Sequence, residues 1–95
     1  MAAYVIADVK ITDQATNEQY RSQVLPTIEK YGGKFIVRGG ATEKVEGDWD
    51  PQRLVIIEFE SIERAREWYY SPEYSGPMKL RHQSTHTNMI FVEGI

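Results

Sequence analysis

The chain contains no cysteine. That absence removes disulfides, thiolate zinc sites and thiol nucleophiles together. It also lacks a basic block: eleven lysines and arginines stand against fourteen aspartates and glutamates, for a net charge of -3. Nucleic acid is therefore not expected as a partner. Apolar runs stay far below the roughly 20 residues of a membrane span. The opening MAAYVIADV has no basic n-region and no sufficiently long apolar core, so no signal peptide is expected and a cytoplasmic location is the default. No repeat, linker or low-complexity tract divides the 95 residues, and 1–95 is read as a single domain. Neither glycine pair precedes a helix with the lysine of a phosphate loop.

What is present is aromatic surface and clear periodicity. Two Trp, six Tyr and three Phe provide material for a core in a domain small enough that oligomerisation would help it. Residues 3–11, AYVIADVKI, alternate as a strand, with Val5, Ala7, Val9 and Ile11 on one face and Tyr4, Ile6, Asp8 and Lys10 on the other. Asp13 reads as an N-cap. Tyr20, Val24, Leu25, Ile28 and Tyr31 then recur at three- and four-residue spacing, predicting a helix over 14–31. Pro26 inside it predicts a bend, or a break with a restart. Gly32 sits where a C-cap requires the left-handed conformation, and Gly33 lets the chain turn into the next strand.

The second strand starts at Lys34. Strict alternation puts Phe35 and Val37 on one face and Ile36 and Arg38 on the other. Gly39 and Gly40 mark a bulge, a bend or a close approach. ATEKVEGDW continues in an extended style to a turn at GDWDP, and 53–59, RLVIIEF, is a third and central strand. Ser61 caps a second helix carrying Ile62, Ala65, Trp68 and Tyr69. Ser71 and Pro72 begin a further helical piece to about Arg81. Residues 86–93 form the last strand. Two strand–helix–strand units with right-handed crossovers give an α+β, ferredoxin-like βαββαβ fold, a four-stranded antiparallel sheet with its two main helices on one face.

Helices cover one face only. The other is expected to carry Tyr4, Ile6, Ile36, Leu54, Ile56, Met89 and Phe91, too apolar to be left to water. A second copy is the simplest cover, so a homodimer through the sheet face is expected. Asp8, Arg38 and Glu58 are expected on that face too. Three charges there are either a structural ion-pair network or the lining of a cleft. In the cleft reading Arg38, Gly39, Gly40 and Tyr74 bind a small organic ligand, with Asp8 or Glu58 as a candidate base. His82 and His86 fall on either side of an expected helix end, so neither a metal nor a cofactor is assigned. Trp49 is read as a contact or pocket lip, Trp68 and Tyr69 as core, and Tyr70 as a cavity border.

In combination, AYVIADVKITD, the helix ending YGGKFIVRGG, EGDWDPQRLVIIEF, AREWYYSPEY and the closing VEGI resemble the domain-of-unknown-function 1330 family over essentially the whole chain. The resemblance implies a dimeric α/β barrel, in which two ferredoxin-like sheets pack face to face. Relatives in that superfamily include cofactor-independent monooxygenases, isomerases, haem-dependent enzymes and stress-response proteins. Residues 75–89 follow the family pattern loosely, so the resemblance supports no role for Arg81. Two function classes stand side by side: a small-molecule-binding enzyme of the monooxygenase or isomerase kind, and a non-catalytic dimer whose charges are structural.

Overall fold

A computed structural model describes Met1–Ile95. Strand β1 is Ala3–Ile11, helix α1 Gln14–Lys30, β2 Lys34–Arg38, β3 Leu54–Phe59, α2 Ile62–Tyr69, α3 Pro72–Ser84 and β4 Thr85–Glu93. The strands lie in the order β2-β3-β1-β4, every neighbouring pair antiparallel. This is the ferredoxin-like arrangement expected from the pattern, with α2 and α3 following each other around Tyr70 and Ser71.

Each helix begins as the capping residues dictate. Asp13 accepts from the Thr16 amide at 3.2 Å and from its hydroxyl at 2.9 Å. Ser61 accepts from the Arg64 amide, and Ser71 from the Tyr74 amide. Helix α1 runs unbroken through Pro26. The proline removes one N–H from the ladder on the exposed side, where water can take the freed carbonyl. Val24, Thr27 and Ile28 fix the turns around it in the core.

That core joins Val5, Ile57 and Phe59 of the sheet to Val24 and Ile28 of α1, Ala65 and Trp68 of α2, and Tyr74 of α3. Trp68 is fully buried, its ring 4.2 Å from Tyr74 and 5.5 Å from Phe59 between centroids. Its indole donates to the Thr27 hydroxyl at 3.0 Å, which donates onward to the Val24 carbonyl, so burial leaves neither group unpaired. Gly33 belongs to the core rather than to the turn alone. A β-carbon there would stand 2.5 Å from the Phe59 ring and 2.8 Å from Ile28 Cγ2.

Register corrects four facings. Between Phe35 and Val37 the β2–β3 pairing shifts by one residue, a bulge at Ile36. Phe35 opposes Ile57, Val37 opposes Ile56 and Arg38 opposes Val55. Arg38 therefore shares the helix-covered face with Phe35, and Val37 moves to the open one. On β4, Met89 opposes Ala7 and Phe91 opposes Val5, so both lie beneath the helices. The open face instead shows Asn88, Ile90 and Val92, along with Tyr4, Ile6, Val37, Leu54 and Ile56.

The stretch 39–53, where an extended segment leading to the GDWDP turn was expected, is an irregular loop. Asp8 ties it down. Its carboxylate accepts the Trp49 indole N–H and the Gln52 amide, each at 2.9 Å. No helix is long and apolar enough to cross a membrane.

Candidate functional site

The sheet and α1 do not close completely against each other. Between them lies a cavity of about 50 Å³, on the helix side of the sheet rather than on the open face. On the scale where a single water needs roughly 10–15 Å³, this holds about three to five waters. Its walls are mostly apolar: Val5, Ala7 and Val9 of β1, Val24 of α1, Phe35 of β2, Val55 and Ile57 of β3, and Met89 of β4.

The polar lining has one sign. Arg21, Arg38, Arg53 and Arg81 all border the cavity, and no lining residue is acidic. None of the four takes part in an ion pair; the protein's salt bridges are Lys30–Glu73, Lys34–Glu58, Lys44–Asp50 and Arg64–Glu67. Arg21, Arg38 and Arg53 gather near β2, β3 and the middle of α1. Partial burial and the fields of Arg21 and Arg38 hold Arg53 below its ordinary pKa, the mark of cations gathered without an anion. Arg38 lies over the Phe35 ring, 4.2 Å from its centroid, a stacking that only the bulge at Ile36 permits. Gly39 follows with φ of 74°, and a β-carbon there would collide with the Arg53 guanidinium. The glycine thus allows both the turn out of β2 and the resting place of Arg53.

At the other end stands Arg81, 5% exposed. Its Nε donates to the Tyr74 hydroxyl at 3.2 Å, and its Nη2 lies 3.2 Å from His82 Nε2. The Tyr74 hydroxyl is in turn 2.9 Å from that of Tyr20, which lines the cavity. Burial first, and then Tyr74, push the Tyr20 pKa well above its ordinary value, so Tyr20 stays a neutral hydroxyl. One turn back on α1, Asn17 also lines the cavity. It is 5% exposed, and its side-chain amide takes no hydrogen bond from the protein.

The sequence-predicted site residues are dispersed. Arg38 borders the cavity, on the face opposite to the one expected. Gly39 lies beside Arg53, while Gly40 is exposed with open space around it. Tyr74 is fully buried behind Tyr20. Asp8 and Glu58 both sit on the open face, away from the cavity and from Arg38. Glu58 pairs with Lys34 at 3.3 Å. The hydrogen bond from Trp49 leads the contacts that lower the Asp8 pKa, so its carboxylate is an anchor for the loop. Arg21, Arg53, Arg81, Asn17 and Tyr20 were missed. Asn17, Tyr20 and Arg21 share the i, i+3, i+4 spacing of one helix face, a signal the sequence does carry. His82 is on the last turn of α3 and His86 on β4, both exposed.

No curated protein matches the chain. Among solved structures, a protein of unknown function from Rhodopseudomonas palustris superposes with a TM-score of 0.80 at 18% identity, covering 99% of this chain and 82% of that one. SnoaB, described as a cofactor-independent oxygenase from Streptomyces nogalater, gives 0.64 at 8% identity, with 99% and 92% covered. A dimeric protein of unknown function and ferredoxin-like fold from Bacteroides fragilis gives 0.56 at 12%, with 98% and 96% covered. These likenesses are of fold. Over residues 2–95 the sequence itself matches one family, and the chain belongs to it: the Domain of unknown function (DUF1330) family.

Proposed function

We propose that the protein binds a small organic anion in the cavity between α1 and the sheet. The observation that carries this reading is the set of four cavity-lining arginines with neither an ion-pair partner nor an acidic neighbour in the lining. Guanidinium cannot shed its charge, and its planar fork matches a carboxylate. The apolar walls suit a short hydrocarbon body, and at about 50 Å³ the cavity takes a ligand of only a few heavy atoms. Of the residues singled out from sequence, Arg38 contacts the ligand directly, Gly39 seats Arg53, and Tyr74 supports Tyr20 from behind. Asp8 and Glu58 take no part. Thermal denaturation with a panel of small carboxylic acids, at constant ionic strength, tests this. At ten times its Kd a ligand stabilises by about 1.4 kcal/mol, or roughly 5–10 °C for a domain of this size. Arg38→Met should diminish that shift. If no acid moves the melting temperature beyond a chloride control, the reading fails.

The open face supports a second element, a homodimer formed through it. Ile36, Ile90 and Val92 are 47%, 59% and 40% exposed, beside Tyr4, Ile6, Val37, Leu54 and Ile56 on one continuous surface. The likeness in fold to a Bacteroides fragilis protein described as dimeric points the same way. Such a dimer leaves both helix-side cavities free. Likeness to SnoaB extends the ligand reading to an oxygenase-type substrate held without a cofactor. In that case the protein supplies orientation and hydrogen-bond donors, since no carboxylate lines the cavity to act as a base.

A further inference from the structure

At about 50 Å³ the arginine-lined cavity has room for a carboxylate and little more. A cavity that holds a benzene ring has about 150 Å³. A second space lies beside it. Tyr69, Tyr70, Met89 and Phe91 line a groove of about 220 Å³, with no charged residue among them. Met89 lines both spaces. Their other walls are neighbours too. Met89 and Phe91 oppose Ala7 and Val5 across the β1–β4 ladder, and Ala7 and Val5 line the inner cavity. Trp68 of the inner cavity packs edge-on against Tyr69 of the groove, their ring centroids 6.1 Å apart.

Resting on the anion reading above, we infer that the two spaces form one site for a small aromatic carboxylate, its carboxylate among the inner arginines and its ring in the groove, with the Met89 side chain as the partition between them. Methionine suits that place. It is unbranched, turns about three bonds and packs well against aromatic edges, so it can fold aside without moving the strand. The groove favours an aromatic guest over an aliphatic one. Tyr69 stands at 83° to Tyr70 and at 77° to Phe91, with centroids 5.1 and 5.7 Å apart. Rings set steeply to one another offer a guest both faces and edges, the contacts that aromatic pairs prefer. Tyr70 is 76% exposed, so a guest ring also covers apolar surface otherwise left to water. One of the four arginines is tied to the groove wall: Arg81 Nε donates to the Tyr74 hydroxyl, and the Tyr74 ring lies 5.9 Å from that of Tyr69.

The experiment is titration calorimetry on the full chain at constant ionic strength, with phenylacetate and 3-phenylpropanoate set against acetate, cyclohexylacetate and the uncharged 2-phenylethanol. The better aryl acid is expected to bind at least tenfold tighter than acetate and 2-phenylethanol, and about two- to tenfold tighter than cyclohexylacetate, the worth of an aromatic contact. Tyr70→Ala removes one exposed ring from the groove and should weaken the aryl acid by a similar factor while leaving acetate within twofold. Met89→Ala removes the partition and should tighten the aryl acid by threefold or more, with acetate again within twofold. Acetate binding as tightly as the aryl acids would overturn the two-part site and leave anion binding standing. Equal affinity for phenylacetate and cyclohexylacetate would overturn the aromatic class, and 2-phenylethanol matching the acids would detach the groove from the arginines. An aryl acid unaffected by both Tyr70→Ala and Met89→Ala would overturn the placement of its ring. If no acid binds at all, the anion reading itself is wrong, and this inference goes with it.

Discussion

Arg81→Met separates a structural arginine from a ligand-binding one. Arg81 is 5% exposed, carries a permanent charge and meets no carboxylate. Its contacts are two long hydrogen bonds, each 3.2 Å, to Tyr74 and His82. At about 0.5–1.5 kcal/mol apiece, losing both costs roughly 1–3 kcal/mol. Burying an ion costs several kcal/mol even after the protein relaxes, and Met removes that cost while keeping the aliphatic stem. The Tyr74 hydroxyl keeps Tyr20 as a partner, so no polar group is newly orphaned. The two contributions nearly cancel. The unliganded variant should lie within about 1 kcal/mol of wild type, a shift of no more than about 8 °C in melting temperature. Urea unfolding gives the same quantity from the midpoint, provided the slope is unchanged. Stabilisation by an added small carboxylic acid should disappear in the variant. Arg64→Met, which removes a surface pair with Glu67 at 2.9 Å outside the cavity, is the control, expected to stay within about 0.5 kcal/mol and to leave ligand stabilisation intact. A loss above about 3 kcal/mol in unliganded Arg81→Met would refute the reasoning, because it would show that the fold relies on the cation.

Three further outcomes are expected. Gly33→Ala should destabilise the fold by about 1–3 kcal/mol, since its β-carbon meets the Phe59 ring and Ile28 with little room to give, and urea midpoints measure this. Light scattering should return roughly twice 11.0 kDa, and Ile90→Glu should shift it towards the monomer; a wild type that is monomeric at micromolar concentration would sink the open-face dimer. Glu73 bridges Lys30 and Tyr31 across α1 and α3, and those two hydrogen bonds lower its pKa from 4.5 to about 2. A depressed carboxylate contributes stability that is fully present above pH 4.5 and fades as pH falls towards 2. Glu73→Gln should therefore flatten the stability profile across that window, and an unchanged acid limb would show that the bridge contributes nothing.

Why the fold was legible and the site was not comes down to one inserted residue and to distance along the chain. Caps, helical periodicity and strand alternation are local signals, and each is repeated: Asp13, Ser61 and Ser71 all cap helices as their types demand, and Trp68 enters the core from a stripe of apolar residues. Facing in a sheet is a parity. A single bulge at Ile36 reverses it for everything downstream on β2, so Arg38 turns from the open face to the cavity while the strand itself stays where it was expected. An assumed phase on β4 misplaced Met89 and Phe91 in the same way. The bulge leaves only an indirect trace in the sequence, in the glycines that follow it. The cavity, in turn, is assembled from six elements besides β2, and its arginines lie at positions 21, 38, 53 and 81, too far apart for any motif to join them. Their shared meaning depends on which acids they do not meet. Asp8 and Glu58 looked like partners of Arg38 from sequence, and each is instead taken up locally, by the loop amide and indole in one case and by Lys34 in the other. Only with those carboxylates engaged on the far side of the sheet do four cavity-lining arginines stand without counter-ions, and that imbalance is what supports reading the cavity as a site for an anion.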